Sequence, residues 1–120
     1  MEDIEKIYFN DVVVLEINLI RATQNEAIVF REIVEMEINS FHTNLVIDLS
    51  KCDYIDTTFF GAIVMTAKKL INIGSRLKVV KPGNEGEAIF IHTNTTKIFD
   101  KYKTREDAIK SFEGDIQPES

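Results

Sequence analysis

The sequence is poor in the residues that most enzyme and metal sites use. It contains one cysteine, Cys52, and two histidines among 120 residues. No catalytic serine or cysteine motif, glycine-rich phosphate loop or paired metal-ligand spacing occurs. We therefore expect a protein that is not an enzyme and that holds no cofactor or metal. Because one cysteine cannot form an internal disulfide, and no basic-then-apolar leader opens the chain, we also expect a cytoplasmic location.

Basic residues and long apolar runs are also scarce. The chain has 14 Lys and Arg against 20 Asp and Glu, for a formal net charge of −6. Proteins that bind nucleic acid need a basic stripe for the phosphates, so the sequence argues against a nucleic-acid partner. The longest nearly apolar run, residues 59–65, is far shorter than the roughly 20 residues that span a bilayer. Direct insertion into a membrane is therefore not expected.

The length and the apolar periodicity predict one α/β domain over residues 1–113 and a polar, frayed tail over 114–120. Strands and helices that alternate after an initial hairpin favour a mixed, mostly parallel sheet with about four helices packed against it. The patterns predict strands near 5–9, 12–18, 44–49, 76–80 and 97–99, and helices near 24–39, 58–74, 85–93 and 104–112.

Polar residues gather where the buried strand at 44–49 leads into the helix that follows it. Asp56, Thr57 and Thr58 fall at the first turn of that helix, where free backbone N–H groups favour carboxylate or hydroxyl oxygens. One reading is that Asp56 or Thr57 is simply the N-cap residue. The other is that this is the functional end of the domain, because sites of open α/β sheets lie at the carboxyl ends of strands.

Two further features of this stretch leave alternatives. Phe59 lies toward the margin of the apolar stripe that includes Phe60, so it either packs against a neighbouring loop or anchors a partner. Asp48, Asp53 and Asp56, with Lys81 and Pro82 after the next strand, loosely suggest a receiver domain of two-component signalling. The stretch VVVLEINLI lacks the acidic pair that receivers carry, so we favour loop solvation for Asp48 and Asp53.

The pattern LVIDLSKCDYIDTT, followed by a helix, NIGSRLKVVKP and a late TNTTKIF segment, resembles the STAS family of anti-sigma factor antagonists and their stressosome and transporter relatives. The resemblance covers nearly the whole chain. It implies that Asp56 matches the family's aspartate, that Thr57 matches the phosphorylated hydroxyl and that Thr58 matches the next one. Gly61 matches the second glycine, and residues 97–99 match the late strand.

Two positions depart from the family pattern. Phe59 stands where the first glycine is usual, and Arg21 and Thr23 occupy the region where an acidic residue commonly follows the second strand. Phe59 lies where a partner would come close, so it either blocks the usual docking or marks a different partner. The expected partner-binding residues are Asp56, Thr57, Thr58, Phe59 and Gly61.

The resemblance implies a non-enzymatic switch that regulates transcription in bacteria. The unphosphorylated protein would bind an anti-sigma factor serine/threonine kinase, phosphorylation of Thr57 or Thr58 would end binding, and a phosphatase would restore it. An alternative is a constitutive scaffold in a stressosome-like or transporter-associated assembly, with Phe59 as its anchor. A ligand sensor is a third, although no pocket motif supports it. The oligomeric state stays open.

Overall fold

The computed structural model describes residues 2–83, 89, 97–114 and 117–119. Its elements are β1 (Ile4–Phe9), β2 (Val12–Ile17), β3 (Arg21–Ala22), α1 (Gln24–Asn39), β4 (Asn44–Asp48), β5 (Tyr54–Ile55), α2 (Thr57–Asn72), β6 (Leu77–Val80), β7 (Phe99–Tyr102) and α3 (Arg105–Lys110), with a 3₁₀ turn at Ser111–Glu113. This part of the chain has three α-helices where the sequence predicts about four. The helix predicted over 85–93 lies outside the described residues, except for Ile89.

Five strands form one mixed sheet in the order β1-β2-β4-β6-β7. Strands β1 and β2 pair antiparallel through a tight turn at Asn10, whose φ of 54° is one that asparagine tolerates. The other neighbouring pairs are parallel. The predicted mixed, mostly parallel sheet that opens with a hairpin is therefore confirmed.

The strands bury side chains on both faces of the sheet, as their β-branched, nearly continuous apolar sequences indicate. Leu15 and Ile47 belong to the larger core beneath α1 and α2. Val14 and Val46 point to the opposite face, where α3 packs. Both long helices bury most of their predicted stripes, with Phe30 and Val34 in α1 and Phe60, Ile63, Ala67 and Leu70 in α2. Ile71, which the pattern places on the α2 stripe, is 41% exposed.

The last strand differs from its prediction. It begins at Phe99 and continues to Tyr102, whereas the sequence predicts a strand over 97–99. Asp100 and Lys101 are polar, so the sequence pattern does not indicate a strand there. In the structure the Asp100 carboxylate forms ion pairs with Arg76 at 2.7 Å and with Lys78 at 3.2 Å. These two cations lie at or in β6, far from Asp100 along the chain, so the local sequence pattern does not reveal the ion pairs.

The tail also departs from its expected fraying in one place. The backbone N–H of Glu119 donates to the carbonyl of Lys101 at 2.8 Å, in an isolated antiparallel bridge. The Glu119 carboxylate also forms an ion pair with Lys81. Glu119 is therefore held beside the β7 edge of the sheet.

An ion cluster joins α3 to the centre of the sheet. The Arg105 guanidinium binds the Asp48 carboxylate through Nε at 2.9 Å and Nη2 at 2.8 Å, and it also contacts Glu16 on the neighbouring strand. Asp48 is almost fully buried, with its other oxygen accepting from the backbone N–H of Ser50 at 2.9 Å. Our expectation that Asp48 is a solvated loop residue is therefore wrong. A buried carboxylate needs a cation, and here the cation comes from much later in the chain.

The hydrogen bond from Arg105 lowers the pKa of Glu16 below its ordinary value of 4.5, even though burial opposes that shift. A carboxyl group whose pKa is lower in the folded state stabilises the fold above its unfolded pKa. That contribution is lost as the pH falls through the folded value. The cluster should therefore stabilise the domain at neutral pH and stop doing so in acid.

Arg105→Ala removes the guanidinium from the buried Asp48 carboxylate and from the partly buried Glu16, which retains its ion pair with Lys51 at 3.5 Å. We expect the free energy of unfolding at pH 7 to fall by about 3 kcal/mol, as measured by urea denaturation. Arg31→Ala removes an exposed arginine and should change it by less than about 0.5 kcal/mol. The difference between wild type and Arg105→Ala should shrink below about pH 4.5. A difference that stayed constant from pH 7 to pH 3 would contradict this role.

Candidate functional site

The side chain of Asp56 is the N-cap of α2. Its Oδ1 accepts a hydrogen bond from the backbone N–H of Phe59 at 2.8 Å, in the N-cap geometry. Its Oδ2 accepts from the backbone N–H of Gln24, the first residue of α1, also at 2.8 Å. One carboxylate therefore satisfies free donors at the starts of both long helices. The open question between Asp56 and Thr57 as the cap resolves to Asp56.

A second, two-stranded sheet brings the two helix starts together. Strands β3 and β5 pair in parallel, with Arg21 opposite Tyr54 and Ala22 opposite Ile55. The backbone N–H of Asp56 then donates to the carbonyl of Ala22 at 3.0 Å. Neither strand is predicted from the sequence, since two residues show no periodicity. Their one local signal is that an apolar residue, Ala22 or Ile55, immediately precedes each cap region.

The two threonine hydroxyls at the start of α2 are open to solvent. Thr57 and Thr58 are both exposed, and neither hydroxyl makes a hydrogen bond within the described part of the chain. Because Asp56 supplies the cap, these hydroxyls are not needed to begin the helix. An exposed hydroxyl on a rigid first turn is a group that another protein can bind or modify without unfolding the domain.

Phe59 has the opposite environment. Its side chain is completely buried, and its ring centroid lies 5.0 Å from that of Phe30 in α1. The hypothesis that Phe59 is an exposed partner anchor is therefore wrong. Its ring packs against a helix rather than the loop we considered, because the cap at Asp56 draws the starts of α1 and α2 close together.

Gly61 is half-buried. Apart from its chain neighbours and the backbone of its own helix, no described atom lies within 4 Å of the position that a Cβ atom would occupy there. Its small size is therefore not required by packing within the domain. Absence of a side chain at Gly61 still leaves the surface beside the first turn of α2 low.

The segment before the cap combines a rigid backbone with a cation. The backbone N–H groups of Asp53 and Tyr54 both donate to the carbonyl of Ile20, at 2.8 and 3.1 Å. The Asp53 side chain is exposed, as solvation predicts. The Arg21 guanidinium lies 4.2 Å from the centroid of the Tyr54 ring, a cation–π contact on the outer face of the small sheet.

Cys52 lies beneath this surface and not on it. Its thiol is completely buried, and burial, with smaller contributions from Asp48 and Asp53, raises its pKa to about 12. A thiol with so high a pKa carries almost no thiolate at neutral pH. Among the residues that the structure describes, no group of three or more His, Cys, Asp or Glu side chains could hold a metal ion. The exposed groups at this end include the Thr57 and Thr58 hydroxyls, the Asp53 carboxylate and the Arg21 guanidinium.

This arrangement, an α/β domain with exposed hydroxyls at a helix start, agrees with the family comparison. The family model described as the STAS domain matches residues 4–108. Because the match covers most of the chain, the chain belongs to the STAS domain family. A comparison with curated proteins by sequence gives no match. In the described ranges, no helix combines the length and hydropathy of a bilayer-spanning segment.

Solved structures with the same fold include three bacterial proteins. A proposed anti-sigma factor antagonist of Thermotoga maritima is 24% identical, with a TM-score of 0.80 and coverage of 90% of this chain and 92% of its own. An anti-sigma factor antagonist of Mycobacterium paratuberculosis is 21% identical, with a TM-score of 0.78 and coverage of 90% and 91%. The Bacillus cell fate determinant SpoIIAA, in its phosphorylated form, is 14% identical, with a TM-score of 0.70 and coverage of 91% and 98%. At these identities the likeness establishes the shared fold.

The double role of Asp56 can be measured against Thr57. Asp56→Ala removes acceptors from two helix starts and should lower the free energy of unfolding by about 2 kcal/mol. Thr57→Ala removes an unbonded, exposed hydroxyl and should change it by less than about 0.5 kcal/mol. Chemical denaturation of both variants checks this. Equal losses would mean that the Thr57 hydroxyl shares the capping role.

The buried thiol predicts slow alkylation. At pH 8, iodoacetamide should leave Cys52 unmodified in the folded protein and modify it completely in denaturant, as followed by mass spectrometry. Ser50→Cys places a second thiol two residues away at an exposed position. That added thiol should react within minutes under native conditions. Rapid native alkylation of Cys52 itself would contradict its burial.

Proposed function

We propose that the chain is an anti-sigma factor antagonist, a binding module whose attachment to a partner is controlled by phosphorylation of Thr57. The observation that carries the proposal is the pair of exposed, unbonded hydroxyls at the start of α2, beside a cap that Asp56 already supplies. The shared fold with two anti-sigma factor antagonists and with phosphorylated SpoIIAA supports it.

The partner in this proposal is an anti-sigma factor that is also a serine/threonine kinase. It binds the surface around Asp56, Thr57, Thr58 and Gly61 while both hydroxyls are unmodified, and the sigma factor that it held is released. The half-buried Gly61 leaves room for the partner beside the first turn of α2. Phe59 contributes from below, because its packing on Phe30 holds the turn rigid.

Phosphorylation of Thr57 would act through charge and not through refolding. A phosphate adds about −1.5 to −2 charges at neutral pH, and backbone donors at a helix start tolerate such a group. Asp56 cannot move away from the new charge, since its two oxygens are held by Phe59 and Gln24. The phosphorylated surface is therefore strongly negative at the position where the unphosphorylated protein presents a neutral hydroxyl to the partner. A phosphatase would reset the switch.

The alternative, a constitutive scaffold anchored by Phe59, loses its anchor because that ring is completely buried. A scaffold would also not require the exposed hydroxyls. We therefore place the controlled binding module first, in the cytoplasm of a bacterium.

The proposal predicts a loss of binding that depends on where a charge is added. Thr57→Glu should weaken binding to the kinase about a hundredfold, which is roughly 3 kcal/mol. Thr57→Ala should retain binding and resist control by phosphorylation. A pull-down from native lysate with tagged proteins, followed by mass spectrometry and affinity measurement, tests this.

Ser50→Glu is the matched control for this experiment, because Ser50 is exposed at the same end of the sheet but outside α2. It should bind the kinase as wild type does. Phosphosite mapping after incubation with kinase and ATP should find the phosphate on Thr57, with Thr58→Ala unaffected. If Thr57→Glu retained the kinase as tightly as wild type, the charge switch would be wrong.

A further inference from the structure

A groove on the other flank of α1 is separate from the hydroxyl pair. It lies between the start of β1 and α1 and has a cavity volume of about 670 Å³. Its floor is apolar and its rim is acidic. The apolar residues Ile4, Val29 and Ile33 form its floor, the acidic residues Glu2, Asp3 and Glu26 form its rim, and Asn25 also lines it.

The groove exists because α1 carries two apolar stripes. The first, with Phe30 and Val34, packs on the sheet. The second, with Val29 and Ile33 one turn apart, faces the β1 side, where β1 is the edge of the sheet. α2 packs along the opposite flank of α1, so it does not cover this stripe. Val29 consequently remains 52% exposed.

The acidic rim is held in position by backbone hydrogen bonds. The carbonyl of Asp3 accepts from the N–H of Asn18 at 2.7 Å, and the carbonyl of Glu2 accepts from the Asn18 side chain at 3.0 Å. On the facing side, the Glu26 carboxylate accepts from the N–H of Thr23 at 2.9 Å in a capping box. The backbone that carries Glu2 and Asp3 is therefore held in place, and the Glu26 carboxylate is itself hydrogen-bonded. No lysine or arginine lines the groove among the described residues.

We propose that this groove binds a basic amphipathic segment of a partner protein. The apolar side chains of that segment would cover Ile4, Val29 and Ile33, and its lysines or arginines would face Glu2, Asp3 and Glu26. The charge complementarity identifies the chemistry of the occupant, since an acidic or neutral segment would bring no cation to the three acidic residues around the apolar floor. The site lies beyond the hydroxyl pair and binds whether or not Thr57 is phosphorylated.

The test is a nuclear magnetic resonance titration of the ¹⁵N-labelled full chain with synthetic peptides about 14 residues long. Two basic peptides share one composition of leucine and lysine, one with leucines at helical spacing and one with alternating leucines. A third peptide replaces every lysine by glutamate, and a fourth groups all the leucines at one end. Saturable shifts confined to residues around Val29 and Ile33, with either patterned basic peptide, support the proposal. No saturable binding, or equal binding of the glutamate or grouped peptide, overturns it.

Variants then separate the groove from general attraction to an acidic protein. Val29→Glu should weaken binding of the basic peptide about tenfold, and Asp3→Lys about threefold. Met65→Glu makes the same change at a site on α2 that is 51% exposed, and Glu113→Lys reverses an exposed charge elsewhere. Both controls should stay within about twofold of wild type. If Met65→Glu weakened binding as much as Val29→Glu, the groove would not be the site.

Thr57→Glu serves to distinguish this proposal from the proposed function. The groove should bind the basic peptide equally well in wild type and in Thr57→Glu. A peptide that binds wild type but not Thr57→Glu would overturn the separate groove and would leave the charge switch at α2 standing. If the chain bound the peptide but retained no kinase, the groove would stand and the proposed function would fail.

Discussion

The carboxylate of Asp56 holds together the part of the molecule on which the proposed function depends. It accepts one hydrogen bond from the start of α2 and one from the start of α1. The backbone N–H groups at a helix start have no partners within the helix, so two neighbouring starts concentrate positive potential in one place. A single ionised side chain between them satisfies this potential at both helices. The packing of Phe59 on Phe30, just below, follows from the close approach that the shared cap imposes.

The exposed hydroxyls are a consequence of the same interaction. The hydroxyl oxygen of a threonine at a helix start commonly accepts a capping hydrogen bond, as that of Thr23 does in α1. At α2 the N-cap is Asp56, so the hydroxyl oxygens of Thr57 and Thr58 are not needed to cap the helix. A surface of this kind changes its charge on modification without losing an interaction that the fold needs. Rigid support and a free hydroxyl are what a binding module controlled by phosphate requires.

The ion cluster at Arg105 shows a different use of charge. Glu16 and Asp48 are neighbours across two parallel strands. The guanidinium from α3 contacts both carboxylates, and Lys51 also pairs with Glu16 at 3.5 Å. Removing one partner of a buried ion cluster lowers the stability by more than the intact cluster contributes to it. The main effect of the cluster is therefore to specify where α3 lies. The cluster occupies the carboxyl end of the central strands, next to the loop that leads to Cys52 and the cap. Acidic side chains there support the structure and are not available for a site.

Long elements were predictable because their periodicity is repeated many times. The stripes of α1 and α2, the hairpin and the buried β4 strand all follow from local patterns, and the STAS resemblance follows from the motif around Asp56 to Thr58. Elements only two residues long, and polar residues paired across the sheet, were not predictable. Strands β3 and β5 are too short for a pattern, and the polar residues of β7 look like loop until Arg76 and Lys78 are seen beside Asp100.

The sequence by itself determined the order of the elements, the α/β class and the place of the hydroxyl pair at a helix start, because these depend on neighbours along the chain. Tertiary structure decided which side chains are free. It buried Phe59 against α1, paired Asp48 with a residue 57 positions away and left Val29 uncovered at the sheet edge. Burial and charge pairing depend on contacts between distant parts of the chain. A helical stripe shows which residues share a face, but only packing shows what that face meets.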